Sequence, residues 1–165
     1  MKLLSIVFSF KNEEKNLPEL IERAAKSLSE FTSWKYEMIF VNDCSTDKSE
    51  EILLKLQKKY PIRIVNMSRN FGVGPCVLAG FKLAKGDAIV YIDSDLQDPP
   101  EIIKELVKEH ENGAEVVHTV RTKRLGESRV KMFLTLVAYK IINFFSDIPL
   151  HVNAGDFKLI SRKAL

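Results

Sequence analysis

The 165-residue chain is 45% hydrophobic and 28% charged, an ordinary balance for a soluble globular protein, and its length suits one domain with a sizeable core. Its formal net charge of +3 is too small to argue for a nucleic-acid partner. No stretch reaches the roughly 18 apolar residues of a membrane span, and Cys44 and Cys76 fit neither a disulfide framework nor a metal-ligand spacing, which points to a reducing compartment.

The amino terminus runs directly into Leu3-Leu4-Ser5-Ile6-Val7-Phe8. With one lysine and no small-residue cleavage site, residues 3–10 read as a first strand and not as a signal peptide. Leu17, Leu20, Ile21, Ala24, Ala25 and Leu28 recur at helical spacing and predict a helix over 17–31. A second strand over 36–41 leads into Asn42-Asp43-Cys44-Ser45-Thr46-Asp47, where Ser45 and Asp47 have the chemistry of helix N-caps, and then a helix over 48–60 that Pro61 breaks. Residues 62–67 form the third predicted strand. A helix over 75–85 is stopped by Gly86, and the run Ala88-Ile89-Val90-Tyr91-Ile92 is the fourth strand. The next helix, 99–112, tolerates Pro99 and Pro100 in its first turn and closes at Gly113, before a fifth strand over 115–120. Strand alternating with helix means βαβ units, hence an α/β fold with an open, largely parallel sheet flanked by helices.

From Ser128 the pattern changes. Val130, Phe133, Leu134, Val137, Ile141, Phe144 and Phe145 face one side of an amphipathic helix over 128–145, which is too polar to span a bilayer. It is expected to pack on its own domain, with the membrane surface as the second choice. Across its start, Arg121, Lys123, Arg124, Arg129 and Lys131 fall among residues whose one acid is Glu127. Such a cluster suits phosphates or an anionic membrane as well as it suits a solvated loop.

Chemically loaded residues recur where strands end. Asn12, Glu13 and Glu14 follow the first strand, Asn42 and Asp43 the second, Arg69-Asn70-Phe71-Gly72 the third, Asp93, Asp95 and Gln97 the fourth, and Arg121 the fifth. In a parallel sheet these ends share one edge, where open α/β sheets bind ligands. The pair Asp93 and Asp95 cannot both be core residues, because unpaired buried carboxylates are too costly. They point to a hard cation, Mg²⁺ or Mn²⁺, held by one or two carboxylates with phosphates and water; a solvated acidic turn is the plainer alternative. The chain has no Gly-x-Gly-x-x-Gly after the first strand and no P-loop, and it lacks the strained nucleophile turn of a Ser/His/Asp hydrolase. An Asp-x-Asp phosphatase would put its nucleophile after the first strand, where Asn12 and Glu13 stand. His110 and His118 read as structural, and His151 lies near Asp156 in sequence without a partner to name.

Taken together, these residues resemble the family-2 glycosyltransferases of the GT-A, nucleotide-diphospho-sugar-binding type, over the whole chain. Val7-Phe8-Ser9-Phe10-Lys11-Asn12-Glu13 is similar to the opening motif, with Ser9 in place of the usual proline. The stretch from Val41 to Asp47 resembles the second motif, with Cys44 in place of a glycine, and Asp93-Ser94-Asp95 stands at the Asp-x-Asp. Arg69-Asn70-Phe71-Gly72, residues 93–100 and Ala154-Gly155-Asp156-Phe157-Lys158-Leu159 look most like the polyprenyl-phosphate branch, which holds dolichol-phosphate mannose synthases and bactoprenol glucosyltransferases.

The resemblance implies an inverting transferase moving a sugar from a nucleotide sugar, UDP favoured, to a polyprenyl phosphate at the cytoplasmic membrane face. Asp43 would accept hydrogen bonds from the base and Glu13 would help hold the nucleoside, with Ser9, Phe10, Asn12, Arg69, Asp93, Ser94 and Asp95 completing the nucleotide set. Asp93, Asp95 and Gln97 would hold Mg²⁺ or Mn²⁺, and Arg121, Arg129 and Lys131 would grip the acceptor phosphate. Asp156, with Asp95, is the catalytic candidate. A phosphate monoester with second pKa near 6 is largely dianionic at neutral pH, so Asp156 would orient the acceptor; a hydroxyl acceptor would need it as base. Transfer to a glycan hydroxyl and a nucleotide-binding domain without turnover are the alternatives. The resemblance further implies hydrophobic spans beyond residue 165, absent here through shortening or supplied by a membrane partner. Self-association is left open.

Overall fold

The computed structural model describes residues 1–120 and 154–165. The chain divides into two compact units, residues 1–117 with 157–165, and residues 118–156. The predicted helix over 128–145 and the cationic cluster between Arg121 and Lys131 lie outside the described residues.

The first unit is built around β1 (Lys2–Phe10), β2 (Trp34–Asn42), β3 (Ile62–Asn66) and β4 (Ala88–Asp93). With β5 (Val116–Val120) and β6 (Ala154–Ser161), the sheet has six strands in the order β3-β2-β1-β4-β6-β5. β1 is central and pairs in parallel with β2, from Lys2 opposite Trp34 to Phe10 opposite Asn42, and with β4, from Leu4 opposite Ala88 to Ser9 opposite Asp93. β3 pairs in parallel with β2. β6 runs antiparallel to β4, with Ala88 opposite Ser161 and Tyr91 opposite Lys158, so the sheet is mixed, mostly parallel and of α/β class.

Burial on both faces explains the uninterrupted apolar strands, because a parallel sheet is covered by its own crossover helices. Side chains alternate across a strand. Leu4, Ile6, Phe8 and Phe10 therefore share one face with Met38, Phe40, Val90 and Ile92, and Phe8 stacks on Phe40 with ring centres 4.4 Å apart. Onto that face pack α1 (Leu17–Ser29), through Leu17, Leu20, Ile21 and Ala24, and α4 (Ile103–Glu111), through Ile103, Leu106 and Val107. Val7, Ile39, Val41, Ile89 and Tyr91 point the other way, to Cys76 and Phe81 of α3 (Val73–Leu83). α2 (Ser49–Leu56) follows β2.

Three local expectations are corrected. Neither Ser45 nor Asp47 is the N-cap of α2, which is Lys48; their side chains accept amides of the first loop instead, Ser45 Oγ from Asn12 N at 3.0 Å and Asp47 Oδ2 from Glu14 N at 3.1 Å. Gly86 does not stop α3, which already ends at Leu83. It is glycine because a Cβ there would lie 2.6 Å from the Ser5 nitrogen and the Ala88 oxygen. The helix after β4 opens as a short 3-10 turn, Pro100–Ile102, before α4 proper.

Candidate nucleotide-sugar site

At the carboxyl edge of the parallel strands lies a cleft of about 310 Å³ lined by Ser9, Phe10, Lys11, Glu13, Asp43, Val73, Cys76, Asp93, Ser94 and Asp95. The lining gathers three strand ends and the start of one helix. β1 supplies Ser9 and Phe10, the turn after β2 supplies Asp43, the end of β4 supplies Asp93 to Asp95, and α3 supplies Val73 and Cys76.

Side-chain bonds hold the surrounding loops to one another. Asn12 adopts φ of 57°, its amide donates to Ser45 Oγ, and its Oδ1 accepts from the Thr46 amide at 2.8 Å. The Glu13 amide donates to Ser49 Oγ at 2.9 Å, and Glu13 Oε2 accepts from Asn16 Nδ2 at 2.6 Å. Lys48 N donates to Glu14 Oε2 at 3.0 Å. Asn12 thus stitches two loops together and does not line the cleft.

Asp43 is buried, 6% exposed. Its Oδ1 accepts from the Phe71 amide at 2.7 Å and its Oδ2 from the Gly72 amide at 2.9 Å. Burial pushes its carboxyl up, but those two amides, the Cys76 thiol and the Lys11 charge together outweigh it and hold the group below the usual carboxylate range. The same contact acts on the thiol: burial, then the Asp43 charge, pushes Cys76 up to about 11. Asp43 therefore pins the segment between β3 and α3, in which Gly72 takes φ of 86°. Arg69 in that segment is exposed, lays its guanidinium 4.8 Å from the Phe71 ring centre, and does not line the cleft.

On β4, the Asp93 carboxylate accepts from the Tyr91 hydroxyl at 2.5 Å, and Tyr91 in turn lies 2.8 Å from Ser9 Oγ. Ser94 Oγ donates to the Ser9 carbonyl at 2.9 Å, fastening the end of β4 to β1. Asp95 is exposed and its Oδ1 accepts from the Gln97 amide at 3.0 Å. Asp93 and Asp95 thus share the cleft, whereas Gln97 is exposed and outside its lining. Among the described residues no three His, Cys, Asp or Glu side chains gather into a metal cluster. The donor set nevertheless fits Mg²⁺ or Mn²⁺, which take one or two carboxylates and complete their shell with phosphate and water.

Asp156, near the start of β6, is exposed and belongs to the second unit. Arg121, Arg129 and Lys131 fall outside the described residues. Four residues of the site carry no assignment from sequence: Lys11, Val73, Cys76 and Tyr91. Tyr91 had a usable signal, since it stands two residues before Asp93 in a strand and so shares its face. Cys76 had none, because only the packing of α3 on the sheet brings it to Asp43.

Residues 5–165 match the family Glycosyl transferase family 2. An uncharacterised glycosyltransferase of Bacillus subtilis, YkcC, is 42% identical over 160 residues, 96% of this chain and 49% of that protein. The bactoprenol glucosyl transferase of Shigella phage SfV is 34% identical over 163 residues, 98% of this chain and 53% of the relative. The chain thus spans about half the length of the curated relatives it matches. Among solved structures, S. aureus TarS 1–349 in complex with UDP-GlcNAc superposes with a TM-score of 0.60 at 27% identity, over 78% of this chain and 36% of that one. Glucosyl-3-phosphoglycerate synthase from Mycobacterium tuberculosis, in complex with Mn²⁺, UDP and phosphoglyceric acid, gives 0.70 at 19% identity, over 98% and 56%; at that identity the likeness is one of fold. A mostly parallel sheet with its acidic cleft at the carboxyl edge, and a match along nearly the whole sequence, lead to one conclusion: the chain belongs to glycosyl transferase family 2.

Proposed function

We infer that this domain transfers a sugar from a UDP-sugar to a polyprenyl phosphate, with inversion, at the cytoplasmic face of a membrane. The observation that carries the donor half is the convergence of Glu13, Asp43, Asp93 and Asp95 on one cleft at the carboxyl edge of a family-2 sheet. Support for UDP comes from the TarS complex with UDP-GlcNAc, and support for the lipid from relatives named bactoprenol glucosyl transferases. Among the described residues no helix is long and apolar enough to cross a membrane.

In this reading Asp43 and Glu13 face the nucleoside, with Ser9, Phe10 and Ser94 shaping the wall; Arg69, outside the lining, would have to leave its stack on Phe71 to join them. Asp93 and Asp95 would hold Mg²⁺ or Mn²⁺, with Gln97, which lies outside the cleft lining, as the further donor. The cation, when bound, neutralises the diphosphate and makes it a better leaving group. Arg121, Arg129 and Lys131 hold the acceptor phosphate, and Asp156 orients it toward the anomeric carbon. An acceptor that is already dianionic needs no base.

The test is turnover of UDP-sugars with a short polyprenyl phosphate in detergent, compared between wild type and Asp156→Asn across pH. Transfer to the lipid, with a residual Asp156→Asn rate that rises through roughly pH 6 and then flattens, supports the reading. Transfer to an oligosaccharide hydroxyl but not to the lipid, with Asp156→Asn losing about 10²–10⁴ in rate, replaces it with glycan elongation. UDP binding without transfer to either acceptor reduces it to a nucleotide-binding role.

A further inference from the structure

The Asp93 carboxylate does not sit alone at the strand end. Ser9, Tyr91 and Asp93 lie on the same face of adjacent parallel strands, because Ser9 is in register with Asp93 and Tyr91 is two residues earlier on the same strand. The carboxylate can only accept, so the Tyr91 phenol donates its one proton to Asp93 Oδ1 at 2.5 Å. The phenol oxygen is then the acceptor toward Ser9, whose Oγ–H points to it at 2.8 Å. The result is a directed chain, Ser9 to Tyr91 to Asp93, in which each bond polarises the next. The phenol is fixed before any ligand arrives. Its ring is 2% exposed and meets Phe81 edge-on with ring centres 6.4 Å apart.

We propose that Tyr91, oriented by Ser9, is a positioning residue that holds the Asp93 carboxylate in the rotamer needed to receive the metal–diphosphate of the donor. The proposal rests on the donor half of the reading above and adds two residues to it. It also accounts for the departure at Ser9, where the family resemblance leads one to expect proline: a proline would offer Tyr91 no hydroxyl. A carboxylate fixed through one oxygen loses no rotamer freedom when the cation binds through it, and outer-shell partners of this kind orient metal ligands. The hydroxyl of Tyr91 does this without entering the cleft lining.

The experiment is calorimetric titration of UDP into wild type, Tyr91→Phe, Ser9→Ala and the double variant, each with Mn²⁺ and with chelator, alongside thermal unfolding. Tyr91→Phe keeps the ring and its packing on Phe81. It is expected to lower the Mn²⁺-dependent gain in UDP affinity by roughly 10-fold, the lower end of what losing an outer-shell partner costs a metal site, while metal-free UDP affinity moves by less than about twofold. Ser9 also lines the cleft, but a direct contact with the nucleotide counts equally with Mn²⁺ and with chelator. The loss of Ser9→Ala in the Mn²⁺-dependent gain, which runs through Tyr91, should be smaller and should vanish in the Tyr91→Phe background. A folded Tyr91→Phe protein that keeps the full Mn²⁺ gain overturns the proposal. If Tyr91→Phe does not fold, an unchanged Mn²⁺ gain in Ser9→Ala overturns it equally. A wild-type protein whose UDP affinity ignores Mn²⁺ instead overturns the donor reading itself, and the proposal with it.

Discussion

Replacing Asp43 by asparagine tests whether one carboxylate holds the segment before α3 in place. The wild-type group receives two amide hydrogen bonds, from Phe71 at 2.7 Å and Gly72 at 2.9 Å, one on each oxygen. Asparagine keeps one oxygen and turns the other position into an NH₂ donor facing an amide donor. One charge-assisted bond is lost, worth about 1.5–3 kcal/mol. With the NH₂ turned toward Gly72, that amide keeps only its longer bond to Asn70 Oδ1 at 3.2 Å, which adds the low end of the roughly 1–3 kcal/mol cost of an unsatisfied amide. Because the Phe71 and Gly72 amides lie in a partly buried segment, we take about 3 kcal/mol in all. For a domain of this size that lowers the melting temperature by about 6–12 °C. The pH dependence has a definite sign. The folded carboxyl is held below its usual range, so its contribution is fully present above the unfolded value near 3.9 and is lost as pH falls through the folded value. The gap between wild type and variant should be complete near pH 6 and should narrow below about pH 4. Thermal unfolding followed by circular dichroism across that range measures it. No gap at neutral pH, or a gap unchanged at about pH 2.5, refutes the account of Asp43 as an anchor.

Gly86→Ala should destabilise the fold by about 1–3 kcal/mol, because its Cβ would meet backbone atoms at 2.6–2.8 Å, whereas Gly74→Ala meets nothing within 4 Å and should be neutral or slightly stabilising; urea midpoints separate the two. Exposed Cys44 should alkylate readily near pH 8, while Cys76, buried and pushed up to about 11, should stay unmodified until the protein unfolds. Peptide mass spectrometry after iodoacetamide tells them apart, and equal labelling would contradict the burial of Cys76. Arg121→Ala combined with Arg129→Ala should raise the KM for polyprenyl phosphate while leaving UDP affinity within about twofold, as expected of a clamp on the acceptor alone; loss of UDP affinity instead would move these residues to the donor.

Periodicity made most of the fold legible. The apolar runs at Leu4, Ile6, Phe8 and at Ile89, Val90, Tyr91 mark doubly covered strands, and Leu17, Leu20, Ile21 and Ala24 mark the buried stripe of α1. The final strand was not legible as one. Ala154–Ser161 reads as a motif, and its buried Phe157 and Leu159 alternate with Lys158 too briefly to distinguish a strand from a loop. Pro75 reads as a first helical position, yet α3 begins at Val73 and Pro75 occupies the third, where a backbone nitrogen still has no intrahelical partner. At the site, the acids were visible because carboxylates at strand ends are conspicuous. The hydrogen bonds that employ Asn12, Ser45 and Asp47 join residues more than thirty apart in sequence. Such bonds leave no local pattern to read.

Among the described residues, three other than glycine take left-handed backbone angles, Asn12 at φ 57°, Cys44 at 60° and Leu96 at 60°, and each follows the carboxyl end of a different one of the parallel strands. Asparagine tolerates that geometry; cysteine and leucine do so at a cost of about 1–2 kcal/mol each. For anyone selecting hardier versions of this protein, Cys44→Gly is the substitution a heat screen should enrich, since it relieves backbone strain at an exposed side chain, whereas Leu96 packs against the core and glycine there would give up that contact. Cys44→Gly would also add freedom to the turn that carries Asp43. Selection for heat alone and selection for turnover should therefore diverge at position 44 before they diverge anywhere in the core.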